Sequence, residues 1–357
     1  MSQSPTPVRL AVLNPGGRDP FVDYADGPGV ITPGVHAPIN FHAYAAATRG
    51  AFFDSTEAVL KAGPRFTAVL VLIRRRVWIS LQAVRRLKAA GHTVLVAWKE
   101  CGPYQITEQL RSSRVLESYQ EILSLADGIL SPTVAPPPRW GWMTAGDFDR
   151  KCRFIPTPYP IEFPDWDFSV PVAERHGILV GTREFSVPTR NHLRALAMVA
   201  SLSDRLKTRV TVINGGKSRD RRILSQLEES FPEGSIDIVE RPLPYADYLR
   251  LMARHRLVFQ LDRSSVPGQV AGDALLCRVL CAGGNSAMEK IAFPDFSDDG
   301  SGDLDVVRDR IAAVFADESA YAAEVEASQR LAREKAGYEP VARALADFVA
   351  AVSGTAV

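Results

Sequence analysis

The chain has 357 residues, 46% of them hydrophobic and 23% charged, with a formal net charge of +1. That length suffices for two domains of ordinary size, and the composition is that of a soluble globular protein. The near-neutral charge excludes a nucleic-acid-binding footprint, and no apolar run is long enough to span a membrane.

Met1 to Pro5 carries no apolar segment of signal-peptide type, so a cytoplasmic protein is expected. The four cysteines, Cys101, Cys152, Cys277 and Cys281, show no metal-ligand spacing. They read as reduced, mostly buried thiols.

Arg9 to Leu13 predicts a short strand that ends in Asn14-Pro15-Gly16-Gly17. Such a turn either lets backbone approach a ligand or is merely tight. A long loop is expected next, with His36 and His42 around Pro38 and Asn40. It could line an acceptor cleft, although a lone loop histidine is more often a surface residue. Ala68 to Ile73 is a continuous apolar run of the buried parallel-strand type. Arg74-Arg75-Arg76, Val77, Trp78, Arg85, Arg86 and Lys88 form a basic cluster with one aromatic. It reads as a solvated helix face or as a peripheral membrane contact for a lipid-linked acceptor. Ile79 to Ala90 has helical spacing and stops at Gly91. Thr93 to Ala97 predicts a strand, Glu108 to Leu125 a helix, and Ala126 to Pro132 a strand with its turn. Repeated β-α units predict a parallel sheet with helices on both faces.

Pro156, Pro158, Pro160, Pro164 and Pro171 crowd the next stretch and predict a linker. The expected domains are therefore 1–165 and 166–340, followed by a last helix within 341–357. The second half repeats the β-α pattern. Strands are expected at Gly177–Gly181, Val210–Ile213, Ile236–Val239 and Val258–Leu261. Helices are expected at about Thr189–Leu202, Arg219–Ser230, Tyr245–His255 and Gly268–Arg278, with Ala-rich helix from about Asp303. Two Rossmann-like domains of this kind predict a ligand cleft between the carboxyl ends of their sheets. Two other functions are excluded. Gly215-Gly216-Lys217-Ser218 resembles the end of a P-loop, but Thr211 stands where the first glycine is required. No Gly-x-Gly-x-x-Gly follows any strand, which argues against a dehydrogenase.

The most informative stretch is VFQLDRSSVPGQVAGDALLCRVLCAGG, residues 258–284. An apolar strand runs through a polar Pro/Gly loop into a helix at Gly268, with Asp273 in its first turns. Cys281-Ala282-Gly283-Gly284 reads as a small-residue turn after it. Free backbone N–H groups and the positive helix end suit a phosphate, and a carboxylate one turn further on suits ribose hydroxyls. The alternative for Asp273 is a solvated acid on an exposed helix face. Gly181-Thr182-Arg183 and Pro188-Thr189-Arg190-Asn191 flank another helix start, where Arg183 and Arg190 are either solvated or partners of a diphosphate.

This stretch resembles the signature of GT-B-fold retaining glycosyltransferases of the family 4 type. That signature is a Glu-Gly-Phe-Gly-like loop followed by a helix reading roughly Leu-Glu-Ala-Met-Ala-x-Gly. Ser265 to Gly268 takes the loop and Gly272-Asp273-Ala274-Leu275 the helix. The resemblance implies an α/β fold of two Rossmann-like domains in the GT-B arrangement. It implies transfer of a sugar from a nucleotide-diphosphate-sugar donor to a sugar, lipid-linked or small-molecule acceptor, with retention, no cofactor and no metal. Arg183 and Arg190 would grip the diphosphate, and Asp273 the ribose. Leu243, within Arg241-Pro242-Leu243-Pro244, would lie against the base, and Gly16 and Gly17 beside the diphosphate. Ser265 and the amides of Val266 to Gly268 would meet the donor sugar. The sequence departs from the pattern at Ser265, eight positions before Asp273, where the family carries its first glutamate. Gln269 and Asp262 could compensate. Three readings follow: an unusual donor sugar, a variant subfamily with its own Gly-Gln-x3-Asp signature, or a chain that has lost catalysis and is a non-catalytic binding or assembly partner of an active transferase.

Overall fold

The computed structural model of the chain describes residues 7–29, 38–139, 143–180, 188–213, 222, 224–226, 228–229, 231–241, 243–298 and 304–354. The chain divides into two compact units. Unit 1 is Met1–Glu162 with Lys335–Val357, and unit 2 is Phe163–Glu334.

Unit 1 is built on a seven-stranded sheet. Its strands are β1 (Leu10–Leu13), β2 (Val22–Asp23), β3 (Ala51–Phe53), β4 (Ala68–Ile73), β5 (Val94–Trp98), β6 (Gly128–Ser131) and β7 (Cys152–Phe154). Their order is β2-β3-β1-β4-β5-β6-β7. Every neighbouring pair is parallel except β2 with β3. All residues of β1, β4 and β5 are buried, which explains why they read as unbroken apolar runs. The helix α3 (Val77–Ala89) buries Val77, Leu81, Val84 and Leu87, spaced at three and four residues. Its outward side is charged and paired. Arg85 meets Glu121, Arg86 meets Glu57 and Lys88 meets Asp127, so this part of the basic cluster is a solvated helix face.

Three differences from the sequence reading stand out here. The expected long loop after β1 contains α1 (Asn40–Ala47), β3 and α2 (Thr56–Ala62). Phe41 to Ala46 are all buried in α1, so the helix has no polar face and shows no amphipathic period to read. His42 is thus not a loop residue. It is buried, stacks on Phe52 with ring centroids 3.6 Å apart, and its Nδ1 shares a 2.8 Å hydrogen bond with the Tyr24 hydroxyl. His36 lies outside the described residues. Finally, the helix expected over Glu108–Leu125 is two, Pro103–Gln109 and Ser113–Leu125. Ser112 starts the second by accepting from Val115 N with its side chain.

The C-terminal helix Tyr338–Val352 belongs to unit 1 and buries Val341, Leu345, Phe348 and Val349. Phe348 sits over Gly128, where a Cβ would lie 2.7 Å from the ring and 2.8 Å from Leu95. A side chain at 128 would push the helix off the sheet.

Unit 2 is built on five parallel strands, β8 (Ile178–Val180), β9 (Val210–Ile213), β10 (Ile236–Val239), β11 (Leu257–Phe259) and β12 (Leu280–Ala282). Their order is β10-β9-β8-β11-β12. Leu280 to Ala282 therefore pair as a strand, where the sequence suggested that a turn begins at Cys281. Three buried apolar residues suffice for this short edge strand, but they leave no pattern to count. The helix expected from Thr189 begins at His192, after a single 3-10 turn over Pro188–Arg190, because Asn191 takes a left-handed φ of 49°. Most of the helix expected over Arg219–Ser230, and all of Gly215 to Ser218, lies outside the described residues.

Candidate functional site

The strand order of unit 2 reverses between β8 and β11. The chain runs from β8 outward through β9 to β10, then returns to β11 and β12 on the other side. Parallel α/β sheets hold ligands beyond the carboxyl ends of the strands at such a reversal. The loops that leave β11 and β12 meet residues 188–191 there.

They are laced by hydrogen bonds of backbone and side chain. Asn191 Nδ2 donates to Leu261 O at 2.9 Å, and Arg263 N to Thr189 O at 2.9 Å. The Arg190 guanidinium pairs with the Asp262 carboxylate, which also accepts from Ser264 N at 2.8 Å and from the Ser264 hydroxyl. Asp262 is buried, while the Arg190 side chain keeps 20% of its surface. Asn285 N donates to Asp262 O at 3.0 Å. The Asn285 side chain then holds Ser265 twice: its Oδ1 accepts from Ser265 N at 3.0 Å and its Nδ2 donates to Ser265 Oγ at 3.3 Å.

Both turns of this loop need an uncommon backbone. Ser265 has φ 50°, and Gly268, at the start of the helix Gln269–Leu276, has φ 99°. A Cβ on Gly268 would collide with Ser286 Oγ and stand 2.8 Å from Met288 Cβ. Only glycine fits there, on conformation and on space alike.

Asp273 lies on the buried side of that helix, 1% exposed, which removes the reading of a solvated surface acid. Its Oδ1 accepts from the Tyr245 hydroxyl at 2.6 Å. Burial pushes its carboxyl up to about 8, against the opposing pull of the Tyr245 hydrogen bond. Tyr245 opens the helix Tyr245–Ala253, directly after Leu243 and Pro244, so the Pro-rich turn and the acid are joined by one phenol. His192, at the start of the helix His192–Leu206, is pushed down to about 4 by burial and by the charge of Arg190.

The structure therefore groups Arg190, Asp262, Ser265 and Gly268, and ties Asp273 to the turn that carries Leu243. Gln269 is exposed at the head of its helix. Asp262 cannot stand in for a sugar-binding acid in this arrangement, because Arg190 and Ser264 take up its carboxylate. Arg183 and Pro242 lie outside the described residues.

Three participants were missed in the sequence. Asn285 is twenty positions from Ser265, and nothing local marks the pairing. Tyr245 looked like an ordinary helix residue. Glu289 had a readable signal, since Ser286-x-x-Glu289 is a capping box and forms as one. Glu289 is buried and accepts from Gly284 N and Ser286 N, both at 3.0 Å, and from Gln260 Nε2 at 3.1 Å. It thereby fixes the loop that presents Asn285.

Gly16 and Gly17 follow β1 in unit 1. Gly16 has φ 67°, and Gly17 N closes a tight turn onto Asn14 O at 2.9 Å. Asn14 Nδ2 donates to Asp19 Oδ2 at 2.7 Å, and Lys99 Nζ reaches the same oxygen at 2.9 Å. Burial raises the Asp19 carboxyl, but Lys99 and Asn14 outweigh it and hold it below the usual range.

No protein-family model and no curated protein sequence matches the chain. Solved structures do. A sucrose-phosphate synthase from Thermosynechococcus elongatus shares 12% identity at a TM-score of 0.59, covering 98% of this chain and 100% of its own. A UDP-forming α,α-trehalose-phosphate synthase from Burkholderia xenovorans shares 11% at 0.59, covering 97% and 99%. An α-glucosyltransferase solved in complex with UDP shares 9% at 0.61, covering 96% and 99%. The chain has the GT-B fold. Its two sheets and its coverage from end to end carry that statement. Among the described residues no helix is long and apolar enough to cross a membrane.

Proposed function

We propose that the chain is a glycosyltransferase that moves a sugar from a nucleoside-diphosphate sugar to an acceptor, with retention at the anomeric carbon. The observation that carries this reading is the laced set of loops at the sheet reversal of unit 2, where an arginine, a glycine-opened helix and a polar loop converge. The fold is shared with proteins whose names state sugar transfer and, in one case, UDP binding.

In this reading Arg190, with Arg183, meets the charge that develops on the leaving diphosphate. Asp262 aims Arg190 by pairing with it. Asp273 uses its second oxygen for the ribose, since Tyr245 occupies Oδ1. Leu243 and its turn lie against the base, and the loop Ser265–Gly268 with Gln269 faces the sugar. Gly16 and Gly17 let the backbone of unit 1 approach the substrates. Donor binding needs no metal, because guanidinium groups and amides supply the positive charge.

A second reading has a specific observation behind it. Ser265 supplies no charge at the place of the family's first glutamate, and the neighbouring Asp262 is taken up by Arg190. That arrangement suits a protein that binds a nucleotide sugar without turning it over, as a partner of an active transferase. Incubation with a panel of nucleotide sugars separates the two. Release of nucleoside diphosphate with transfer to an acceptor supports the enzyme. Binding without release under every acceptor supports the partner. Absence of any nucleotide-induced shift in melting temperature ends both.

A further inference from the structure

The segments after β11 and β12 carry four acids among their described residues, and all four are engaged. Asp262 accepts from Ser264 N at 2.8 Å and from the Ser264 hydroxyl with Oδ1, and pairs with Arg190 through Oδ2. Glu289 accepts from Gly284 N, Ser286 N and Gln260 Nε2. Asp298 pairs with Arg263 Nε at 2.7 Å, and Asp295 with Arg310 at 3.1 Å. Asp262, Glu289 and Asp298 are buried besides. A carboxylate free to accept from the hydroxyls of a sugar is therefore missing from the described residues of these segments.

What Ser265 offers instead follows from its partner. A backbone amide can only donate, so the Asn285 atom that faces Ser265 N at 3.0 Å is the carbonyl oxygen. That contact fixes the side-chain amide against a flip, and Nδ2 is the atom that meets Ser265 Oγ at 3.3 Å. The serine oxygen accepts this bond. Its own proton has no acceptor among the described residues. The arrangement is held from both sides, since Asn285 N donates to Asp262 O at 3.0 Å and Ser265 takes a left-handed φ of 50°. Ser265 is half-buried. At the place of the family's acceptor glutamate, this chain presents a hydroxyl whose proton is available for donation.

We propose that the donor's sugar presents to Ser265 an acceptor group with no proton of its own, a uronate carboxylate or an acetamido carbonyl, and that Asn285 sets this preference by taking up the serine oxygen. The proposal rests on the reading that this loop faces the transferred sugar. A hydroxyl partner would give Ser265 only a neutral bond that either oxygen could donate. A carboxylate makes a charge-assisted bond of about twice the strength, and an acyl carbonyl can do nothing but accept. The nearby carboxylates of Asp262 and Asp298 are neutralised by Arg190 and Arg263, so the loop does not repel an anion. A glutamate at 265 would repel a uronate and turn lone pairs toward a carbonyl. Asn285 acts through Ser265 and is a positioning residue.

The test is calorimetry on the full chain with UDP, UDP-glucose, UDP-glucuronate and UDP-N-acetylglucosamine. UDP alone sets the baseline. UDP-glucuronate or UDP-N-acetylglucosamine should bind about fivefold or more tightly than UDP-glucose, and whichever leads tells the carboxylate from the acetamido carbonyl. Ser265→Ala should level the three sugars. Asn285→Asp reverses the polarity without touching Ser265: one aspartate oxygen still accepts from Ser265 N, and the other takes the serine proton. It should shift the preference to UDP-glucose, as should Ser265→Asp, while UDP affinity stays within about twofold of wild type and shows that the variants are folded. The proposal is overturned if UDP binds and the wild type treats the three sugars alike or favours UDP-glucose. It is also overturned if the preference survives Ser265→Ala or Asn285→Asp. UDP that fails to bind the wild type sinks the donor reading of unit 2, and the proposal with it.

Discussion

Asp273→Asn tests the electrostatics of unit 2 most directly. The folded chain holds the Asp273 carboxyl near 8, against 3.8 for the unhindered group, because burial removes the water that would solvate the anion. Between those two values the folded state keeps a proton that the unfolded chain releases. Stability therefore falls as pH rises. The contribution is complete below the unfolded value, near 4, and is lost progressively as pH climbs to the folded value, near 8. At 1.36 kcal/mol per unit, a shift of about four units sets a ceiling of roughly 6 kcal/mol over the window. Local relaxation and water entry reduce this, so we expect about 2–4 kcal/mol between pH 5 and pH 8. Asparagine has the same shape, can accept from Tyr245 and never ionises. Asp273→Asn should thus match the wild type near pH 4 and exceed it increasingly toward pH 8. Urea unfolding across this range, followed by hydrogen exchange at unit 2 amides, measures the difference. A carboxyl ¹³C titration of the wild type should show the matching late transition. Parallel stability curves for the two proteins, or a carboxyl that titrates near 4, would refute the reasoning. In the proposed binding mode, ribose hydroxyls donate to the ionised form of this carboxyl, so nucleoside diphosphate affinity should rise between pH 6 and pH 8 in the wild type and not in Asp273→Asn.

Three further outcomes follow from the same contacts. Tyr245→Phe removes the hydroxyl that donates to Asp273 Oδ1 and should cost about 1–3 kcal/mol above pH 8, where the buried acid is ionised, with a smaller loss at pH 5; thermal melting at the two values measures it. Glu289→Gln keeps the size but replaces one acceptor oxygen with a donor facing Gly284 N or Ser286 N, and should lower the melting temperature by several degrees with a loss of about 1–3 kcal/mol. If the loop faces the transferred sugar as proposed, Ser265→Ala should leave nucleoside diphosphate affinity unchanged and reduce turnover; single-turnover kinetics with calorimetry separates the two effects, and unchanged rates with every donor would remove Ser265 from the site.

Much of this molecule is written locally in its sequence. Ala68–Ile73, Val210–Ile213 and Ile236–Val239 were legible to the residue, since β4 and β9 bury every side chain and a run of apolar or β-branched residues admits few alternatives. The strand-loop-helix from β11 through Gly268 was legible because a glycine with φ 99° has to start that helix, and a Pro/Gly loop announces it. What the sequence could not show is what depends on distant partners. α1 carries no period, because Phe41 to Ala46 are buried on every side of the helix. The fate of Asp262 depended on Arg190, seventy-two positions away, and that of Ser265 on Asn285, twenty positions away. Asp273 could be named as a special acid from its place in the helix. Only packing against the helix that begins at Tyr245 decided that it is buried and held protonated at neutral pH, since the cost of charging a carboxyl is set by the atoms that replace its water.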